Sequence, residues 1–314
     1  MQNKLKGHAA ILSANVIYGL NIPVTKALLD KWMTPWGYMA TRTLAALLIF
    51  WVIQSFAPKE RITRRDLLII AIGGVMGFVV SQFLTALSLQ YTSPVYFSLI
   101  IALSPLCVMM LAALFLKEPV TGHKAVGVLL GIAGAVLLIV FADSSSTSGK
   151  NNLLGIGLAC VSIFAYSIYL IIMRSVSQKY SAVTQMKWMF LFTAIILVPL
   201  GVYEYPQQAI FNSECDLSGI LELGFVIIFS TSLGYFLMPF GMKYLRATTV
   251  SVYMNLQPVV ASVVAIFVGQ DKFSWDMPLA ALLVLIGAYI VSSSPAKKEQ
   301  SEERINDKSE VSNE

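Results

Sequence analysis

Charge is scarce in this chain. Lys, Arg, Asp and Glu make up 12% of its 314 residues, against roughly 25% in a soluble domain. Half the charge that keeps a folded surface in water is missing, which excludes an ordinary water-soluble enzyme. Histidine and cysteine are rarer still, at two and three residues. His8 and His123 stand far apart and no Cys or His pair has ligand spacing, so a metal site has no support. Cys107 and Cys160 fall inside apolar runs and Cys215 in a loop, so a disulfide framework is not expected. Acidic residues are missing from a more informative place: none lies in the middle third of any apolar run. Proton and cation exchangers commonly rely on carboxylates at membrane depth, so a buried-carboxylate proton mechanism is disfavoured. Glu118 and Glu222 stand at the ends of runs, as interfacial charges.

What the chain has instead is apolar sequence. Hydrophobic residues reach 57%. Runs of about 20 residues, the length that crosses a hydrocarbon core of roughly 30 Å, recur from residue 8 to residue 293. The chain reads as an all-α integral membrane protein with ten transmembrane helices. They are expected at 8–29, 36–56, 67–90, 94–116, 123–142, 153–173, 183–203, 219–240, 248–268 and 277–293. The breaks carry turn and cap chemistry: Pro35 before the second helix, Ser93-Pro94 at the start of the fourth, and a flexible joint from Ser144 to Gly149. Lys4 and Lys6 ahead of the first run resemble a signal peptide, but no small-x-small cleavage pattern follows, so the run is expected to stay as helix one.

Sorting the 22 basic residues by alternate sides of these helices puts 17 on one side. The other receives Lys26, Lys31, Lys150 and Lys272, and Arg42 lies within the second span. The excess marks the cytoplasmic side, so both termini are expected to be cytoplasmic. Trp188 to Met242 contains no Lys or Arg but holds Glu204, Glu214, Asp216 and Glu222, which suits an external loop between helices seven and eight. The basic clusters lie between apolar runs rather than on one face, so the net charge of +5 reflects topology and not nucleic-acid binding.

Slid against itself by 153 residues, the chain aligns 91–138 with 244–291 without a gap. Tyr91 meets Tyr244, Ser98 meets Ser251, Pro105 meets Pro258, and Gly134-Ala135 meets Gly287-Ala288. Residues 1–142 then form a first five-helix repeat, 143–152 a linker, 153–293 a second repeat, and 294–314, charged and nearly without apolar residues, a disordered cytoplasmic tail. Five is odd, so the second repeat enters from the opposite face. Two inverted repeats of this kind serve alternating access in many secondary transporters. Pro105 and Pro258 each free a carbonyl one turn earlier, tolerated in lipid only where protein or a water-filled cavity satisfies it. They are the hinge candidates.

Polar side chains at membrane depth usually face the bundle interior. Tyr18 and Asn21 share a face of helix one, and Gln82 stands beside Ser81 and Thr85 on helix three. Ser98 on helix four, Tyr166 on helix six, Tyr235 on helix eight, and Asn255 with Gln257 on helix nine complete the set of cavity candidates. For Ser and Thr, bonding to neighbouring helices is the alternative. Arg42 is the only basic residue well inside a span. It is read as a structural charge, snorkelling toward the external surface or pairing with a helix C-terminus, with an anionic substrate group as the alternative. Gly73 with Gly77, and Gly127 with Gly131, have the spacing of close helix packing within the bundle; a subunit contact in a homodimer is the alternative.

Several short motifs appear in order along the chain: Tyr18-Gly19-Leu20-Asn21, then Pro35 with Arg42 and Ala45-Ala46, then Lys117-Glu118-Pro119, then Gly127, Gly131 and Gly134. Over residues 8 to 293 they resemble the ten-helix EamA-like branch of the drug/metabolite transporter superfamily. The resemblance implies a two-fold inverted bundle with a cavity lined by helices one, three, four, six, eight and nine. It implies transport of small metabolites such as amino acids across a bacterial inner membrane. The chain departs from the family pattern where Tyr18 replaces a frequent Trp and where Gln270-Asp271 stands for a Gly and Glu.

The expected partners are a small-molecule substrate and the lipid bilayer, with no cofactor. A neutral, polar and aromatic cavity suits a zwitterionic or uncharged metabolite. A sugar-phosphate or nucleotide-sugar exchanger would recruit several Arg or Lys, and only Arg42, with Lys26 near a helix end, is available. A passive channel or a scramblase would tolerate the same polar lining. An intramembrane enzyme would need a nucleophile and base, or a metal, facing each other, and no span supplies them.

Overall fold

The computed structural model describes residues 2–116, 151–211, 216–245, 249–250 and 253–270, with isolated helical residues between 122 and 133 and between 278 and 290. Among the described residues every regular element is a helix. Most of the expected fifth and tenth helices, Lys117-Glu118-Pro119, most of the linker and the tail lie outside them. The helices are α1 (Gln2–Lys31), α2 (Pro35–Phe56), α3 (Arg64–Tyr91), α4 (Pro94–Ile101), α5 (Ser104–Leu116), α6 (Asn152–Ser177), α7 (Ala182–Tyr203), α8 (Leu217–Met242) and α9 (Leu256–Phe267). The expected fourth helix is the pair α4 and α5, interrupted at Ala102 and Leu103. Among the described residues six stretches are long and apolar enough to cross a membrane: α2, α3, the α4–α5 pair, α6, α7 and α8.

Helices begin where a side chain can serve first-turn N–H groups, which have no partner inside the helix. Thr34 accepts from the Gly37 N–H with Pro35 in the first turn, and Ser93 accepts from Tyr96 with Pro94 following it. Thr63, Asn151, Ser181 and Asp216 cap α3, α6, α7 and α8 in the same way.

Small residues let these helices approach closely. α2 lies along α7, α3 along α6, and α1 against α8 and α9. A Cβ on Gly201 of α7 would stand 2.1 Å from the Ala40 Cβ of α2. One on Gly77 would stand 2.4 Å from the Tyr169 ring of α6, and one on Gly73 2.7 Å from the Met173 sulfur. The Gly73–Gly77 pair therefore packs inside the bundle; Gly131, of the second pair, lies outside the described residues. Phe50, Phe78, Phe190 and Tyr235 pack ring to ring at the centre, with centroids 5.0–5.8 Å apart. Large apolar side chains such as Leu48, Ile195 and Val263 stay exposed on the outside, a surface suited to lipid.

Two departures from regular helix recur close to the 153-residue offset. α3 contains a π segment at Val75–Val80 and α8 one at Val226–Gly234; the offset carries 75–80 onto 228–233. The α4–α5 break at Ala102 and Leu103 has a counterpart at Met254 and Asn255, before α9, one residue short of where the offset would carry it. Each precedes its proline by a few residues. Pro105 cannot donate to the Ile101 carbonyl, and the Ser104 hydroxyl does so instead. Pro258 releases the Met254 carbonyl, which takes the Gln257 N–H at 3.0 Å.

Polar clasps bind the ends of the bundle. Gln208 donates to Thr34 Oγ1 at 2.8 Å, while the Thr34 hydroxyl donates to Glu204. At the other end Lys179 and Tyr180 both donate to Asp66, at 3.1 and 2.9 Å, and Glu60 accepts from Ser181.

Candidate functional site

Between α1, α3, α4, α6, α8, α9 and the turn before α9 lies a partly open cavity, with about 540 Å³ of empty space when the part open to solvent is included. α1 contributes Tyr18, Asn21 and Ile22, and α3 contributes Ser81, Gln82 and Thr85. Phe97 and Ile101 come from α4, Ser162, Ile163 and Tyr166 from α6, Tyr235 from α8, Met254 from the turn and Gln257 from α9. These are helices one, three, four, six, eight and nine of the sequence reading. Among the described residues, no Lys, Arg, Asp or Glu is in the wall.

The irregular backbone places several of these groups. Ser81 and Gln82 directly follow the π segment of α3, and Tyr235 directly follows that of α8. A π turn holds an extra residue, so it rotates every later side chain relative to a regular helix, and such turns are frequent at functional sites. Gln82 and Tyr235 are themselves related by the 153-residue offset. So are Ile101 and Met254, whose carbonyls the two prolines release.

Some wall groups are tied to protein and some are not. The Ser162 hydroxyl lies 2.9 Å from both the Ser81 carbonyl and Thr85 Oγ1, joining α6 to α3. Gln257 donates to Asn15 Oδ1 at 2.6 Å, and Asn15 donates to the Ile11 carbonyl at 2.8 Å. By contrast the Tyr18 and Tyr235 hydroxyls and Asn21 Oδ1 are shielded without a hydrogen-bond partner. A buried polar group left so costs about 1–3 kcal/mol, which a ligand in the cavity can recover. The Tyr18 and Tyr235 rings meet edge to face at 5.9 Å.

Of the eight cavity candidates, Tyr18, Asn21, Gln82, Tyr166, Tyr235 and Gln257 come together in this wall. Two do not. Ser98 is buried and its hydroxyl donates to the Val95 carbonyl at 2.8 Å, so its polarity is used within its own helix. Asn255 sits in the turn before α9, outside the wall, with Oδ1 unpartnered. Pro105 and Pro258 are not wall residues; they act on the wall through Ile101 and Met254.

Arg42 corrects an expectation. It does not snorkel: it is 1% exposed. Nε donates to Thr231 Oγ1 at 2.9 Å, and Nη1 donates to the Tyr38 hydroxyl at 2.9 Å and to Gln82 Oε1 at 3.3 Å. Its guanidinium lies 5.1 Å from the Tyr38 ring centre and 5.0 Å from that of Phe78. The physical reason is local: packed between α3 and α8, the side chain finds neutral oxygens and aromatic faces within its reach. Sequence reading passed over Tyr38, Phe78 and the anchoring role of Asn15. Tyr38 was within reach, since it precedes Arg42 by four residues on one helix face. Phe78 and Asn15 carry no local signal.

Apolar, membrane-length helices packed around a small neutral polar cavity define a multi-pass membrane protein with an internal solute-sized site. The chain belongs to the EamA-like transporter family, whose sequence profile matches residues 5–140 and again 153–293. It is similar to an uncharacterized transporter of Archaeoglobus fulgidus, 28% identical over 83% of this chain and 90% of that protein. An uncharacterized transporter of Clostridium kluyveri is 25% identical over 93% and 94% of the two chains. A WAT1-related protein of Arabidopsis thaliana is 23% identical over 93% of this chain and 79% of its own. A crystal structure at 17% identity shares the fold, with a TM-score of 0.60 over 90% of this chain and 98% of the other.

Proposed function

We propose that the protein is a secondary transporter that moves small neutral or zwitterionic, amino-acid-like metabolites by alternating access. One observation carries the reading: a cavity walled by amides, hydroxyls and aromatic rings, with unpartnered polar atoms on Tyr18, Asn21 and Tyr235 and, among the described residues, no charged side chain. Such a wall offers donors and acceptors to a polar solute without holding a fixed ion. The proposal includes ten helices in two inverted five-helix repeats, 1–142 and 153–293. It includes a bacterial inner membrane with both termini in the cytoplasm, and no catalytic step. The paired π segments and paired proline breaks support the repeat. A sugar-phosphate exchanger fits less well, because phosphate recognition normally recruits several cations and the described residues of the wall include none. The test is counterflow in proteoliposomes preloaded with amino acids or with sugar phosphates. Exchange of amino acids alone is expected, and exchange of sugar phosphates alone would refute the substrate class.

A further inference from the structure

The environment of Arg42 is incomplete for a guanidinium. An arginine stays charged at any working pH, and a charge at membrane depth is costly unless something pairs with it. Among the described residues no carboxylate pairs with Arg42. Its hydrogen bonds run only to the neutral oxygens of Tyr38, Thr231 and Gln82, and Nη2 is shielded with no partner at all. Two aromatic faces offset part of the cost. A net positive charge still remains inside the bundle.

That charge lies one side chain behind the cavity wall. Gln82, whose Oε1 takes the Nη1 hydrogen, is a wall residue. Tyr235, also in the wall, packs edge to face on Phe78 at 5.2 Å, and the guanidinium lies on Phe78. The repeat converges here as well: the 153-residue offset relates Gln82 to Tyr235 and Phe78 to Thr231. Equivalent positions of the two halves thus surround one cation that only the first half supplies.

We propose that Arg42 is the carboxylate-recognition residue of the cavity, with Gln82 as its placeholder. A substrate carboxylate displaces Gln82 Oε1 and takes hydrogen bonds from Nη1 and Nη2 in the forked geometry that guanidinium and carboxylate share. Asn21 Oδ1, an unpartnered acceptor in the same wall, receives the substrate's amino group. The assignment rests on the transporter reading and narrows its substrates to solutes bearing a carboxylate, amino acids among them.

The experiment is thermal denaturation of the purified full-length protein in detergent, with amino acids, their C-terminal amides and inorganic phosphate as probes. An amide keeps the ammonium group and loses the charge Arg42 would read. The acid of each pair is expected to bind about tenfold or more tightly than its amide, the scale of one charge-assisted hydrogen bond, with no shift from phosphate. Arg42→Gln should erase the acid-over-amide preference. Gln82→Glu places a resident carboxylate beside Nη1, so it should raise the melting temperature without ligand and abolish binding of the acids. Equal stabilisation by acid and amide, or by neither, overturns the assignment. So does a preference that survives Arg42→Gln, a Gln82→Glu protein that still binds acids, or phosphate binding more tightly than the acids. Counterflow of uncharged solutes alone would overturn this role for Arg42 and leave the transporter reading standing. Binding of acids without counterflow of any solute would do the reverse.

Discussion

Gln257 serves two surroundings at once, facing the cavity while its Nε2 donates to Asn15 Oδ1 at 2.6 Å on the neighbouring helix. Asn255, two residues earlier, has an unpartnered Oδ1 and no place in the wall. The two amides should therefore respond differently to truncation. Gln257→Ala leaves Asn15 Oδ1 buried and unpaired, and should destabilise the protein by about 1–3 kcal/mol. Asn255→Ala removes an atom that bonds nothing, and should stay within about 0.5 kcal/mol of the parent. Thermal denaturation of both variants in one detergent checks the pair, and a larger loss for Asn255→Ala would contradict the placement. In the sequence both were large amides, costly to bury and close to a proline, and nothing local separated them. The turn at Met254 and Asn255 decides which one faces inward, because it interrupts the regular advance of side chains around the helix.

The elements that carry the site are the irregular ones. Between α4 and α5 the Ile101 carbonyl loses its usual N–H donor to Pro105 and gains the Ser104 hydroxyl. Serine and proline there act as a unit, which a double-mutant cycle can read. Ser104→Ala should cost about 1–3 kcal/mol in the parent, where it leaves a buried carbonyl without a donor. It should cost far less in a Pro105→Ala background, where the restored N–H can serve that carbonyl. Denaturation of the four proteins gives the coupling, and additive losses would mean that Ser104 does not compensate for the proline. The prolines and the capped starts at Pro35 and Ser93-Pro94 were legible in sequence, because a missing N–H and a fixed φ act locally. The π segments of α3 and α8 were not. Their sequences, VMGFVV and VIIFSTSLG, read as ordinary apolar helix, and the close approach of the Tyr169 ring to Gly77 within the first of them is a tertiary contact that no local pattern announces.

At the scale of the molecule, topology is the property most open to direct test. Cysteines placed at Ser146 and Arg64 in a background without Cys107, Cys160 and Cys215 should label differently. A membrane-impermeant maleimide should reach position 146 in intact cells and position 64 only after permeabilisation; labelling of both from outside would overturn the ten-helix orientation. Membrane residence, helical class and family were all readable in one dimension. A bilayer demands about 20 apolar residues per crossing and backbone hydrogen bonds closed within each helix, so each helix announces itself without reference to its neighbours. The meeting of Arg42 with Thr231, 189 residues away, and of Gln257 with Asn15, 242 residues away, was decided only in three dimensions. Those contacts depend on how helices cross and on the register each π turn or proline break imparts, and side chains that share no stretch of chain leave no periodic trace of their encounter.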